Sequence, residues 1–203
     1  MPTVDALLFD LGNVLIEVDP HRCFSYWQQF SPHSAEQLSK MPVLDTAFEQ
    51  HEVGELSDEQ YFDYLRELMS LDATTAEIKT GWDAMLGEQI TATIALVERA
   101  SKQLPCYIFS NTNPSHQQRW SDLHADFLSL FQQVYVSSDI KRRKPEVEAY
   151  LFVCQEIGVP AERVLFFDDR EDNIAGARAA GLRAVQVHHS SDVEQALKQQ
   201  GLM

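Results

Sequence analysis

Acidic side chains follow two apolar runs of this chain. Asp10 closes the run Val4 to Phe9, and the pair Asp168 and Asp169 comes directly after Val164 to Phe167. Adjacent carboxylates repel each other unless a proton or a cation lies near them, and hard oxygen ligands of this kind suit Mg²⁺. If the two runs are neighbouring strands, we expect one cation site in which Asp10 is a nucleophile or a metal ligand. Taken alone, Asp10 is more typical of a helix cap or a turn than of a catalytic residue.

Further polar residues follow or precede regular segments in the same way. Lys144 ends the basic run Lys141 to Lys144, and a point charge there can neutralise a phosphate or the charge that develops on a nucleophilic carboxylate. The other three basic residues of the run are expected on a solvated surface. Ser110 and Asn111 follow another apolar run, where they either cap the next helix or offer a hydroxyl and a backbone N–H to phosphate.

The elements that must position these residues are short runs rich in Val, Ile, Leu, Phe and Tyr. They predict four or five buried strands: Val4 to Phe9, Pro105 to Ser110, Val134 to Ser138, Val164 to Phe167, and Ala184 to Val187. From the second run onward they alternate with helical patterns near 91–103, 114–130, 145–158, 171–180 and 191–200. This βαβ rhythm predicts an α/β fold with a doubly wound parallel sheet, whose ligands bind beyond the carboxyl ends of the strands.

The segment between the first and second strands has a different pattern. Residues 18–88 show no strand and several amphipathic helices, such as Ser57 to Met69. We therefore predict a Rossmann-like catalytic core formed by 1–17 and 89–203, with 18–88 as an inserted all-helical cap.

Composition excludes several classes of function. The chain has 203 residues and a formal net charge of −15, which repels nucleic acid and anionic lipid surfaces. No apolar run is long enough to cross a bilayer, and the N-terminus does not resemble a secretory signal, so we expect a cytoplasmic protein. Its three cysteines are far apart in sequence, which argues against a disulfide framework or a thiolate metal site.

Four short motifs occur in an order that is specific as a set. FDLGNV at Asp10, SNT at Ser110, RKP at Lys144 and FFDDREDNIAGA at Asp168 resemble the four motifs of the haloacid dehalogenase superfamily, which has a Rossmann-like core and a small helical cap. Together with the segment HEVGELS that begins at His51, the Gly-Asn-Val variant looks most like a small branch of phosphatases that act on sugar phosphates such as glucose 1-phosphate.

The resemblance implies a set of metal ligands. Asp10 would be both the nucleophile and a ligand of Mg²⁺, with the carbonyl of Gly12 as another ligand. Asp169 would bind the cation directly, whereas Asp168 would hold a metal-bound water. Asn173 would support the loop that carries the acidic pair.

The resemblance also implies the phosphate contacts. Ser110 and Asn111 would bind the transferring phosphoryl group, and Lys144 would steady it as a catalytic and binding residue. The chain departs from the superfamily pattern at Gly12, where its phosphatases usually place the aspartate that serves as acid and base. We expect that departure to matter least for a good leaving group, such as the anomeric hydroxyl of a sugar 1-phosphate.

The sequence thus predicts a phosphoric monoester hydrolase that uses Mg²⁺ and an aspartyl-phosphate on Asp10. Its expected partner is a small phosphorylated metabolite, and a monomer or homodimer is expected. One alternative is a metal-independent 2-haloacid dehalogenase, against which the charge of Asp168 and Asp169 argues. Another is a catalytically weak phosphate-binding protein, which Gly12 keeps open.

Overall fold

A five-stranded parallel sheet is the centre of the molecule. The computed structural model describes residues 4–203, and its strands are β1 (Ala6–Phe9), β2 (Ile16–Val18), β3 (Leu86–Gln89), β4 (Cys106–Ser110), β5 (Gln133–Val136), β6 (Val164–Asp168) and β7 (Arg183–Gln186). The main sheet has the order β5-β4-β1-β6-β7, and all of its neighbouring strands are parallel. β1 lies in the middle and every one of its residues is buried, which explains its unbroken apolar sequence.

Helices fill the connections. Between β2 and β3 the chain forms α1 (Pro20–Trp27), α2 (Ala35–Leu38), α3 (Thr46–Glu52), α4 (Asp58–Leu68) and α5 (Thr75–Asp83). After β3 it forms α6 (Thr91–Ala100), α7 (Pro114–Leu123), α8 (Ala125–Leu128), α9 (Ser137–Ile140), α10 (Val147–Ile157), α11 (Glu171–Ala179) and α12 (Ser190–Gln199). Among residues 4–203, no two neighbouring strands of the main sheet are joined by a hairpin turn, because parallel strands need longer crossover connections.

Apolar side chains form three separate clusters. Two of them contain side chains from the main sheet: Leu7 and Phe9 belong to one, and Leu8 and Phe166 to the other. Because successive side chains of a strand point to opposite faces, both faces of this sheet are covered. The third cluster is formed by α1 to α5 and centres on large side chains, including Trp27, Tyr61 and Trp82. The helical segment therefore has a hydrophobic interior of its own.

The predicted α/β fold with a doubly wound parallel sheet is confirmed, and the differences lie in the connections. The sequence showed no strand in 18–88, but β2 and β3 pair as a small antiparallel sheet at the two ends of the helical segment. The predicted strand Val134 to Ser138 ends at Val136, because Ser137 begins the short helix α9. The helical pattern at 114–130 is divided at His124 into α7 and α8. Across residues 4–203 no helix is both long and apolar enough to span a bilayer.

Candidate active site

Three carboxylates meet at the carboxyl edge of the main sheet. β1 and β6 are adjacent, Phe9 pairs with Phe167, and the backbone N–H of Asp10 donates to the carbonyl of Phe167 at 2.8 Å. Carboxylate oxygens of Asp10, Asp168 and Asp169 therefore lie within 4.8 Å of one another. The structure thus brings together the acidic residues that the sequence singles out.

Lys144 is buried between two of these carboxylates. Its Nζ lies 2.8 Å from Oδ1 of Asp10 and 2.7 Å from Oδ2 of Asp168, and only 1% of its side chain is exposed. The main chain of Lys144 is held by Asn111, whose Nδ2 donates to the Lys144 carbonyl at 2.8 Å and whose Oδ1 accepts from its N–H at 2.9 Å. Asn111 thus uses both polar groups of its side-chain amide to position the main chain of Lys144.

Burial dominates the electrostatics of this cluster. It raises the pKa of Asp10 to about 7, although Lys144 opposes the shift and Asp168 adds to it. Burial also raises the pKa of Asp169, with Asn13 opposing. For Lys144 burial acts to lower the pKa, but Asp10 and Asp168 outweigh it and the net shift is upward. The ammonium group is therefore kept charged, while the carboxylates lack enough positive charge around them.

Asp168 differs from the other two carboxylates because its oxygens are fully engaged. Oδ1 accepts from the N–H of Arg170 at 2.9 Å and from Nδ2 of Asn173 at 3.0 Å, and Oδ2 accepts from Lys144 and from the same Asn173 group at 3.0 Å. Its side chain is completely buried. The structure therefore assigns Asp168 contacts that orient Lys144 and the β6–α11 loop.

Asp10 and Asp169 face open space instead. Both line the large cavity of this part of the chain, and each has a single side-chain partner among residues 4–203, Lys144 for Asp10 and Asn13 for Asp169. Two carboxylates with free coordinating capacity and a third behind them form an oxygen donor set of the kind that Mg²⁺ prefers. The residues present therefore fit this cation.

The remaining predicted site residues line the same cavity. Ser110, at the end of β4, is buried, and Gly12 follows Asp10 on the opposite wall. A Cβ on Gly12 would lie 3.2 Å from Cγ2 of Val18. The position that usually carries an acidic residue in the resembled superfamily is thus packed against a valine.

Two features of the site are missing from the sequence interpretation. Asn13 adopts a left-handed backbone with φ of 53°, accepts from the N–H of Val18 at 3.1 Å and donates to Asp169 at 3.1 Å. Asparagine is among the residues that tolerate this backbone, so the pair Gly12-Asn13 after a strand was a usable signal.

The second missing feature is a set of contacts between α3 and the loop before Lys144. Arg143 donates to Oε2 of Glu52 at 2.8 and 3.0 Å and to Glu49 at 3.0 Å, while Nζ of Lys141 donates to the carbonyl of Gly54 at 3.2 Å. The expectation of a solvated surface holds for Lys141 and Arg142, which are exposed, but is wrong for Arg143, whose side chain is only 19% exposed. Burial raises the pKa of Glu52, and Arg143 opposes that shift. These contacts hold the helical segment against the sheet edge.

The cavity connects the carboxylates with the helical segment. It has a volume of about 680 Å³ and extends from Asp10 and Lys144 at the sheet edge to Phe48 and Trp82 among α3 and α5. Ligand sites in α/β folds commonly lie in such a crevice beyond the strand ends. The arrangement can hold a cation and a phosphate at one end and an organic group at the other.

Two curated proteins are similar to this chain in sequence over most of its length. The chain is 22% identical over 196 residues to D-ribitol-5-phosphate phosphatase of Bacteroides thetaiotaomicron, covering 94% of this chain and 95% of the relative. It is 27% identical over 199 residues to drimenol cyclase drtB of Aspergillus calidoustus, covering 96% of this chain but only 36% of that relative. This chain therefore spans about a third of the length of the cyclase.

A solved structure is similar throughout. The HAD family enzyme bt-2542 of Bacteroides thetaiotaomicron, in complex with magnesium and inorganic phosphate, superimposes with a TM-score of 0.78 and 28% identity, covering 90% of this chain and 93% of that one. The family model for a haloacid dehalogenase-like hydrolase matches residues 4–181. The superfamily that the motifs predict is thereby confirmed, and the chain belongs to the haloacid dehalogenase-like hydrolase family.

Proposed function

We propose that the chain is a Mg²⁺-dependent phosphatase that hydrolyses a small phosphomonoester through an aspartyl-phosphate on Asp10. The observation that carries the proposal is the meeting of Asp10, Asp168 and Asp169 within 4.8 Å, with Lys144 bound to two of them. The magnesium and phosphate in the similar bt-2542 structure support it.

In this mechanism the protein supplies a nucleophile and a fixed positive charge. An oxygen of Asp10 attacks phosphorus and the bond to the leaving oxygen breaks, so that the phosphoryl group passes to the carboxylate. Lys144 stabilises the charge on the transferring group, and Asp168 keeps the ammonium in place. Water then attacks the acyl phosphate, releasing phosphate and restoring Asp10. Asp10, Asp169 and the carbonyl of Gly12 would hold Mg²⁺, which would supply further positive charge for the transferring phosphoryl group.

Ser110 and Asn111 complete the phosphate end of the site. We assign the Ser110 hydroxyl to the phosphoryl group, because it is buried at the end of β4 and its only hydrogen bond among the described residues is a 3.5 Å contact with the neighbouring carbonyl. Asn111 acts through its main chain, since its amide is occupied by Lys144. We propose residues 18–88 as the cap that selects the organic group.

The organic group of the ester is the finer part of the proposal. The sequence resemblance implies a sugar phosphate such as glucose 1-phosphate, and one relative is named for ribitol 5-phosphate. Only 36% of the relative named as a cyclase is similar to this chain, and its name does not identify a phosphate ester as substrate. Sugar and polyol phosphates are therefore the esters against which other organic groups are to be compared. No feature of the described residues favours the haloacid alternative.

The decisive measurement is phosphate release from acetyl phosphate by the purified chain, with Mg²⁺ and with a chelator. We expect turnover only with Mg²⁺, and we expect Asp10→Asn to lose at least about 10³-fold because no other group can form the phosphoenzyme. The control is Asp126→Asn, which removes an exposed carboxylate outside the cavity. Full turnover by Asp10→Asn, or turnover without a cation, would show that the proposed mechanism is wrong.

A further inference from the structure

The cavity has two ends of different chemistry. Charged and polar side chains, including Asp10, Lys144 and Asp169, line the end at the main sheet. Toward α1 to α5 and the β2–β3 pair the lining side chains are largely apolar. Val43, Phe48, Met85 and Leu86 are only partly buried and present surface there, whereas Trp27 and Leu65 behind them are at most 1% exposed and belong to the core of the helical segment. A group attached to a phosphate at the sheet edge can reach this apolar part, because the two parts form one continuous space.

The polar side chains in the apolar part are largely occupied by one another. Oδ1 of Asn113 accepts from the N–H of His116 at 3.0 Å and lies 3.4 Å from the indole nitrogen of Trp82. Nε2 of His116 bonds the carbonyl of Trp82 at 3.0 Å. Burial lowers the pKa of His116 to about 4, so the imidazole is neutral and carries no charge for a ligand. These groups offer a ligand little beyond their carbon surfaces.

Two buried donors on the wall have no partner among residues 4–203. They are the hydroxyl of Tyr61 and the indole N–H of Trp120. A sugar brings several hydroxyl groups, each of which donates and accepts. The charged side chains that line the same cavity already pair with one another, Arg143 with Glu49 and Glu52, and Arg170 with Asp172. Each buried hydroxyl left without a partner lowers affinity by about tenfold or more.

Hydrocarbon gains affinity from the same wall. Each methylene moved from water into apolar surroundings raises affinity by about threefold. The exposed side chain of Leu44 extends the apolar surface outward at the mouth, where 72% of it is in contact with solvent.

Resting on the phosphatase function proposed above, we infer that this cavity accepts a hydrocarbon group, so that the substrate is an alkyl, prenyl or aryl monophosphate. The phosphate lies against Asp10 and Lys144, and the hydrocarbon lies among the side chains of α1, α3 and α5. The sugar phosphates implied by the sequence resemblance are then poor ligands, because their hydroxyl groups lose water without gaining partners.

The test measures binding of n-alkyl phosphonates, from methyl to octyl, to the full chain in Mg²⁺ by calorimetry. Phosphonates resist hydrolysis, so their affinity does not depend on catalysis. We expect Kd to fall by about threefold for each added methylene over the first several carbons. A Kd independent of chain length would overturn the inference, as would tighter binding of the phosphonate analogue of glucose 1-phosphate than of octylphosphonate.

Two wall variants and one control locate the effect. Phe48→Ala and Leu44→Ser should weaken octylphosphonate by about threefold to tenfold and leave methylphosphonate unchanged. Leu44 is exposed, so its variant retains the fold even if Phe48→Ala does not. Leu123→Ser is the control, because Leu123 is 46% exposed on α7 and lies outside the cavity. An equal loss in the control would overturn the inference, since the chain would then bind elsewhere on the surface.

Hydrolysis of acetyl phosphate separates this inference from the phosphatase proposal. Length-dependent binding without acetyl phosphate hydrolysis supports the cavity assignment and contradicts the proposed reaction. Hydrolysis with length-independent binding retains the reaction and overturns the hydrocarbon group.

Discussion

At the scale of single residues, Asp10 and Gly12 divide the chemistry of the site. Asp10, the proposed nucleophile, lies 2.8 Å from the ammonium of the buried Lys144, whereas Gly12, two positions later, offers no proton. The structure gives the absence a steric basis, because Val18 occupies the space beside Gly12. The departing oxygen must therefore leave with little help from an acid on this strand end.

A carboxyl group introduced at this position should change which esters react. We expect Gly12→Asp combined with Val18→Ala, which removes the 3.2 Å contact, to raise kcat for methyl phosphate by about 10²-fold, since general acid catalysis helps poor leaving groups most. p-Nitrophenyl phosphate, with a good leaving group, should change far less. Steady-state phosphate release from both esters is the measurement.

Gly12→Asn with Val18→Ala is the matched control, because it has the same shape and no acidic proton. An equal gain in the asparagine variant would show that the effect is steric.

At the scale of elements, α11 and the loop before α10 are fitted to each other without spare space. Gly176 lies inside α11, and a Cβ there would be 2.1 Å from the carbonyl oxygen of Pro145. Pro145 follows Lys144, whose ammonium bonds Asp10 and Asp168. The packing of α11 against Pro145 therefore helps to fix the position of Lys144 at the sheet edge.

This contact reverses the usual preference for alanine in a helix. Alanine normally stabilises a helix interior relative to glycine by about 1 kcal/mol, but we expect Gly176→Ala to destabilise the fold by about 2 kcal/mol and to lower kcat by about tenfold. Urea denaturation and acetyl phosphate hydrolysis measure the two effects. Ala175→Gly, at an exposed position of the same helix, should cost about 1 kcal/mol and leave kcat unchanged. Equal activity of the two variants would contradict the proposed link to Lys144.

The elements also show what sequence can reveal. The strands of the main sheet were predictable because β1, β4 and β6 are buried on both faces, and their residues are apolar except for Ser110 and Asp168 at the ends of β4 and β6. β3 was not, since its sequence Leu-Gly-Glu-Gln is half polar and its partner lies on the other side of the helical segment.

The site shows the same limit at residue level. Asp10 and the acidic pair were predictable because each follows a buried strand, and parallel strands end at one edge. The bond from Arg143 to Glu52 joins residues 91 positions apart, and no local pattern indicates it. The motifs at Ser110 and Lys144 predict only that Asn111 and Lys144 lie near phosphate. They do not reveal that the Asn111 amide is hydrogen-bonded to the main chain of Lys144.

At the scale of the whole molecule, the stability of the fold is coupled to the charge of the site. The chain has a formal charge of −15, and the buried cluster adds three carboxylates around one ammonium. The pKa of Asp10 is raised from 3.8 to about 7, so its protonated form is favoured by folding. Its contribution to stability is present below pH 3.8 and is lost as the pH rises through about 7.

The cation-free protein should therefore be stabilised when Asp10 can no longer ionise. We expect Asp10→Asn to raise the melting temperature by about 5 °C at a pH about one unit above 7 in a chelator, and the difference to shrink at a pH about two units below 7. Scanning calorimetry at the two pH values is the measurement. Excess Mg²⁺ should stabilise the native chain and remove the advantage of the variant.

Asp126→Asn makes the same change of net charge outside the cavity and should not alter the pH dependence. An equal rise in its melting temperature would attribute the effect to overall repulsion in an acidic protein.

The pairing of Lys144 with two of the three carboxylates also bears on the order in which the cation and the phosphate ester bind. With all three carboxylates ionised, the cluster has two uncompensated negative charges, and a phosphate dianion that approaches it is repelled. A divalent cation brings the cluster to neutrality and removes that barrier. In the proposed mechanism we therefore expect the cation to bind before the ester.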